Sequence, residues 1–221
     1  MGHPLNAPLV RTMSAQIVTR IRDKILAGEY APGSALLQDS IAAEFGVSKI
    51  PVREALVRLR SEGLIDIEAH RGFRVRPLLE SEVDEVFKLR LALEPTAVSE
   101  GARIAKPGDH AAARESLRAL NAALAAKALA DIGTLNSAFH LALIVPKRQP
   151  VTYETLSRLH TMSQRYVRMH LAIAGRGRRA TREHNALYEA WAGGDSRGAG
   201  RQTQAHIEET RDELAQSLAR K

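Results

Sequence analysis

Three histidines of this 221-residue chain stand where helices could bring them together. Asn136 and His140 bound the run NSAFH. They are four apart, so on a helix both project from one side. His184 lies in REHNAL and His206 in QAHIEE, each on a different helical stretch. Three helices of a bundle can bring three imidazoles to one interior point. Three neutral imidazoles and one oxygen donor suit a borderline divalent ion, zinc or nickel. Open positions would then take water or a ligand carboxylate. Spacing alone leaves competitors. His160 and His170 also fall on helical stretches, and a helical histidine is more often a hydrogen-bonded surface or core residue than a ligand.

A second group is basic. Lys49, Arg53, Arg58 and Arg60 follow one another along a helical stretch, and Arg71 stands beside Gly72 at a turn. Arg53 has the reach and planar fork for a bidentate contact to guanine. Lys49 suits guanine or phosphate. Ser48 and the helix N-terminal N–H groups suit a phosphate oxygen. Arg71 could enter a minor groove or clamp a backbone. The competing reading is a set of solvated charges, with Arg53 paired to a carboxylate. Glu54 is read as a surface or orienting residue.

The elements that must position these groups are legible. IAAEFGVSKIPVREALVRLRSEGLIDIEAHRGFRV, from Ile41 to Val75, reads as a helix, a tight turn, a basic helix and a short β-ribbon. That is the layout of a winged helix-turn-helix. Ala42 is small enough for a close helix crossing, and Gly46 accepts the positive φ of a sharp turn. Val47, Val52, Leu56 and Leu59 supply the buried face. Before it, Ser14 is read as the cap of a helix burying Ile17, Ile21, Ile25 and Leu26, ended by Pro32-Gly33. Residues 1–13 are read as a flexible arm. The next helix spans about Gln38 to Phe45. The basic helix starts near Ser48, carries Pro51 in its first turn and ends near Gly63. Strands are expected at Leu64 to Glu68 and Phe73 to Arg76, with His70-Arg71-Gly72 as the tip of the wing.

Everything further on reads as helix, at roughly 81–104, 109–129, 130–145, 151–174, 179–193 and 195–219, with breaks at Pro107-Gly108, Pro146 to Pro150, Gly175 to Gly177 and Gly193-Gly194. The expected fold is therefore mainly α. A winged helix-turn-helix domain (1–76) and a linker (77–82) precede an all-α helical bundle (83–221).

Composition narrows the classes. There is no cysteine, which excludes disulfides, thiolate metal sites and a Cys nucleophile. No run of about 18 apolar residues or signal-peptide pattern is present, so a soluble cytoplasmic protein without membrane association is expected. The net charge is +7 and the isoelectric point about 10.0. Residues 1–76 carry 11 Lys/Arg against 8 Asp/Glu, so the basic balance suits a polyanion without forming a basic tail.

PGSALLQDSIAAEFGVSKIPVREALVRLRSEGLIDIEAHRGFRV resembles the N-terminal domain of GntR-type bacterial transcription regulators, over about residues 14–76. Lys49 stands where that family usually has arginine, and a lysine cannot make the planar fork. Residues 83–214 resemble the FCD ligand-binding domain of the FadR-type subfamily. The matching pieces are LRLALEP at 89–95, NSAFH at 136–140, REH at 182–184, GD at 194–195 and HI at 206–207. That resemblance implies a divalent metal held by Asn136, His140, His184 and His206, with asparagine where the family commonly has aspartate. The stretch after His140, LALIVPKRQP, also departs from the family pattern. The resemblance implies a small carboxylate effector with arginine opposite the metal. Arg90 is the best match for that arginine, and Arg165 and Arg168 are weaker ones. A salt bridge to Glu94, at i,i+4, competes for Arg90.

The leading expectation is a homodimeric transcription repressor on a pseudo-palindromic double-stranded DNA operator, modulated by the acid. A non-specific nucleic-acid-binding protein is the alternative. A metal enzyme is a further one, disfavoured because there is no HExxH and no nucleophile elbow. Glu183 precedes His184, but consecutive helical residues diverge by about 100°, so it is poorly placed as a base.

Overall fold

The computed structural model describes residues 13–68, 72–171 and 175–219. Arg71, the expected wing-tip contact, lies outside them, as does most of the expected N-terminal arm. The chain divides into two compact units, Met1–Ile25 with Tyr30–Arg76, and Leu26–Glu29 with Pro77–Lys221.

In the first unit α1 (Met13–Ala27), α2 (Gln38–Phe45) and α3 (Lys49–Ser61) pack with β1 (Ala35–Leu36), β2 (Ile65–Glu68) and β3 (Gly72–Val75). Met13 is already helical, so Ser14 lies inside the first turn and is not its cap. The apolar stripe Ile17, Ile21 and Ile25 of α1 and the stripe Val52, Leu56 and Leu59 of α3 are all essentially inaccessible to solvent. Gly46 ends α2 at φ 66°, its N–H directed to the carbonyls of Ala42 and Ala43. This left-handed cap turns the chain straight into α3. Pro51 sits in the first turn of α3, where the missing N–H costs nothing. The sheet order is β1-β3-β2, antiparallel, with Ile67 opposite Phe73 and Glu68 opposite Gly72. The two-residue β1 was not expected, because it is too short to show a period.

The second unit is helical throughout its described residues. It comprises α4 (Glu80–Ile104), α5 (Pro107–Ala126), α6 (Leu129–Ala142), α7 (Pro150–Leu171), α8 (Arg176–Ala192) and α9 (Ser196–Ala219). The connection from β3 to α4 ends at Leu79, shorter than expected. Pro107 is not a break. It opens α5 at the first helical position, with Asp109 accepting from the Lys106 N–H at 2.9 Å. The core holds Phe87, Phe139, Tyr166 and Trp191. Trp191 Nε1 donates to the Leu143 carbonyl at 2.9 Å, tying α8 to the end of α6.

Candidate metal centre and nucleic-acid interface

Three helices supply the histidines. His140 comes from α6, His184 from α8 and His206 from α9. Their ligand nitrogens lie within 4.8 Å of one another. Bonds of about 2.1 Å allow donors on one ion to stand at most ~4.2 Å apart, so sub-ångström movements suffice. His140 and His184 are fully buried. Nε2 of His140 and both nitrogens of His184 have no hydrogen-bond partner among the described residues. Unsatisfied buried nitrogens are costly, and one each from His140 and His184, with a His206 nitrogen within 4.8 Å of both, fit a metal ion. Asn136 is buried one turn before His140 and lines the same cavity as His206.

Two carboxylates stand behind the ligands. Glu94 Oε1 lies 2.9 Å from His140 Nδ1, and Glu183 Oε2 is hydrogen-bonded to His206 Nδ1 at 2.8 Å. Each contact reserves Nε2 of that ring for the cluster. Glu94 also accepts from Arg90 Nε at 2.8 Å and touches His160 Nε2 at 3.2 Å. His160 is therefore engaged with Glu94 and lies outside the three-histidine group. Burial drives the His140 imidazole down to about 3 and His184 well below its ordinary range, so both are neutral donors. Burial pushes Glu94 up, but Arg90 and the two imidazoles outweigh it and hold the carboxyl well below the usual range.

A cavity of about 20 Å³ adjoins the cluster. Arg90, Arg176 and Arg179 line it, whereas Arg165 and Arg168 do not. Arg165 is buried on α7, its guanidinium 5.9 Å from the Tyr166 ring centre. At the mouth Arg176 pairs with Glu213, and Arg179 with Glu209 and, at 2.9 Å, Glu183. His170 joins through Glu213 at 3.3 Å. The sequence reading missed Arg176 and Arg179, because their partners lie on other turns or another helix. It also missed Glu183 as the residue that orients His206. A wider cavity lined by Asp109, Thr134, Tyr153 and Gln164 has no cationic side chain along it and does not suit an anion.

In the first unit Ser48 caps α3 without using its hydroxyl on the cap. Lys49 and Arg53 are exposed at the start of that helix. Lys49 Nζ contacts Asp39 at 2.5 Å in an exposed pair. Arg53 has no ion-pair partner among the described residues, so the expected alternative of a carboxylate pair is not seen there. Arg58 is exposed and 3.8 Å from Glu62. Gly72 opens β3 at φ 80° with open space around it, so the backbone can be approached closely there.

Known proteins match both parts of the chain. Residues 13–75 match the family described as bacterial regulatory proteins, gntR family, and residues 85–209 match the FCD domain. The chain belongs to the GntR family of bacterial transcriptional regulators, in the branch carrying an FCD domain. Its N-terminal domain is a DNA-binding domain. The repressor RspR of Escherichia coli (strain K12) is 24% identical over 204 residues, 92% of this chain and 90% of that protein. YdhC of Bacillus subtilis (strain 168), an uncharacterized HTH-type transcriptional regulator, is 35% identical over 83 residues, 38% of this chain and only 37% of that protein. The solved structure of E. coli McbR/YncC has the same fold, with a TM-score of 0.81 at 23% identity, covering 95% of this chain and 100% of that one. No helix among the described residues is long and apolar enough to cross a membrane.

Proposed function

We propose that the chain is a homodimeric repressor whose affinity for a pseudo-palindromic operator is set by a small organic acid. The acid binds at a divalent ion, zinc or nickel, held by Asn136, His140, His184 and His206. The observation that carries this reading is the convergence of one imidazole nitrogen each from α6, α8 and α9 within 4.8 Å, with His140 and His184 buried and holding nitrogens that have no hydrogen-bond partner among the described residues. Arg53, Lys49, Ser48, Arg58 and Gly72 form the DNA-facing set, with Arg53 reading a base and the others holding the backbone. Repression accords with the names of two relatives, RspR and the gluconate operon transcriptional repressor of Bacillus licheniformis, the latter 38% identical over 79 residues.

The ion supplies Lewis acidity and a point of attachment for a carboxylate. The protein's own residues do the rest. His140, His184 and His206 bind, Glu94 orients His140, Glu183 orients His206, and Arg90 balances Glu94. The cavity holds about one water, so the acid enters as the Arg176–Glu213 and Arg179–Glu209 pairs shift. A shift of α8 against α9 then accompanies binding, and an acid that favours one arrangement changes the operator affinity. A tenfold difference corresponds to about 1.4 kcal/mol of coupling.

The test is anisotropy with DNA flanking the protein's own gene against random DNA at one salt concentration. Sequence-specific regulation expects a preference of roughly a thousandfold or more. Equal binding to the flanking DNA and to every fragment recovered by genome-wide site selection would replace this reading with non-specific nucleic-acid binding.

A further inference from the structure

Helix α6 has a second working face. Asn136 lines the small cavity beside the three histidines, whereas Thr134, Ser137, Ala138 and Leu141 line a separate cavity of about 410 Å³ together with residues of α5 and α7. Short side chains leave that space open: Ala112 on α5 and Ala138 and Ala142 on α6 end at Cβ. Near one end α6 and α7 approach closely, since a Cβ added to Gly133 would stand 2.7 Å from the Gln164 carbonyl oxygen. Small-molecule pockets run from about 300 Å³ upward and are mostly apolar, with a few placed polar groups. The polar groups here lack a donor and a positive charge. Gln164 Oε1 is buried and has no hydrogen-bond partner among the described residues, a costly state for an acceptor. The Ser137 hydroxyl already donates to the Gly133 carbonyl at 3.0 Å. Asp109 is the one charged side chain among the described residues around the cavity, and no Lys, Arg or His joins it there. One of its oxygens, Oδ2, accepts the Lys106 N–H at 2.9 Å.

We propose that this cavity is a second ligand site, for a small organic amine. The ammonium donates to Gln164 Oε1 and balances Asp109, and the apolar body lies against Ala112, Ala138 and Leu141. An ammonium carries three donors and one positive charge, which are the two things the lining lacks. An alcohol of the same shape supplies a donor for Gln164 and leaves Asp109 unbalanced. A carboxylate of the same shape brings no donor and meets a like charge. Arginines line the cavity beside the histidines and none lines this one, so the two sites select ligands of different kinds. The amine touches no metal ligand, and the proposal stands whether or not an ion is held by His140, His184 and His206.

The experiment is titration of the full-length protein with three probes that share one body: phenethylamine, phenethyl alcohol and phenylacetate. Alanine-methyl NMR locates each. Phenethylamine is expected to shift the methyls of Ala112, Ala138 and Ala142 saturably, and to bind there about tenfold or more tightly than the alcohol. Phenylacetate is expected to leave those methyls unmoved. Asp109→Asn keeps an acceptor for the Lys106 N–H and removes the charge, and Gln164→Leu removes the unpartnered oxygen. Each should weaken phenethylamine by about tenfold. Ala138 is exposed on the cavity wall, so Ala138→Leu fills the space without disturbing the core and should abolish binding. The comparison of probes on the wild type needs no variant to fold. Equal binding of the three probes, or methyl shifts confined to other alanines, overturns the proposal. So does self-association in sedimentation that Ala138→Leu abolishes, which would make this face a contact between copies of the chain.

Discussion

Glu94 Oε1 lies 2.9 Å from Nδ1 of His140, with both side chains wholly buried. The contact joins α4, the first helix of the second unit, to α6. It turns one ring nitrogen to a carboxylate and leaves Nε2 without a hydrogen-bond partner among the described residues. Arg90 lies one turn before Glu94 and keeps that carboxylate charged. The Arg90–Glu94 pair, which the sequence offered as the alternative to an effector role for Arg90, is thus present and stands directly behind His140.

Glu94→Gln keeps the shape and removes the charge behind His140. Metal affinity should fall about 10–100-fold, the usual cost of losing a carboxylate behind a histidine ligand, as read by calorimetry. Glu94→Ala should also destabilise the fold by roughly 3–5 kcal/mol, because Arg90 is left buried and unpaired. Urea denaturation of the two variants separates the effects. An unchanged metal affinity in Glu94→Gln would show that Glu94 serves packing alone.

The metal-free protein should lose stability on mild acidification. Burial holds His140 at about 3 and, with help from Arg176, His170 at about 4 in the folded chain, against about 6.5 unfolded. Below pH 6.5 the unfolded chain takes up protons that the folded chain refuses. The stabilisation is complete above 6.5 and is lost as pH falls toward the folded values. Between pH 7 and 5 each such group removes about 2 kcal/mol, and His184 adds to the trend. A urea midpoint that stays constant across this interval would mean that the imidazoles are not buried as neutral bases.

Most of the positioning elements were legible because they depend on local chemistry. The Gly46 cap, Pro51 in the first turn of α3 and the Val52–Leu56–Leu59 stripe are short-range signals, and α2 has the bounds read from them. The spacing of Asn136 and His140 likewise placed both on one helix. Convergence of His184 and His206 on that point depends on tertiary packing, which periodicity does not carry. The same holds for Glu183 behind His206, 23 residues away, and for Arg176 and Arg179 at the cavity mouth. Arg165 and Arg168 resembled effector residues only by type and by lying on a helix.

Arg53→Ala should cost about 1–3 kcal/mol in operator binding and relax specificity at one base position. Arg53 is exposed near the start of α3 and is tied to no carboxylate among the described residues. Lys49→Ala should weaken all sequences more evenly, since its ammonium is already shared with Asp39. Anisotropy against a panel of single-base operator variants reads both. Equal weakening of operator and random DNA by Arg53→Ala would assign Arg53 to the phosphate backbone.

Gly101→Ala tests how closely α4 must approach α6. Replacing a helix-interior glycine by alanine ordinarily stabilises by about 1 kcal/mol. Here an added Cβ would collide with the Leu143 carbonyl, and Trp191 Nε1 would stand 3.1 Å from it. That carbonyl is backbone and accepts the Trp191 hydrogen bond, so it cannot yield as a flexible side chain would. The collision outweighs the propensity gain, and net destabilisation of about 1–3 kcal/mol is expected, as for other overpacked cores. Because α6 carries Asn136 and His140, bound zinc should fall as well. A thermal midpoint at or above that of the wild type would show that the two helices have room to separate.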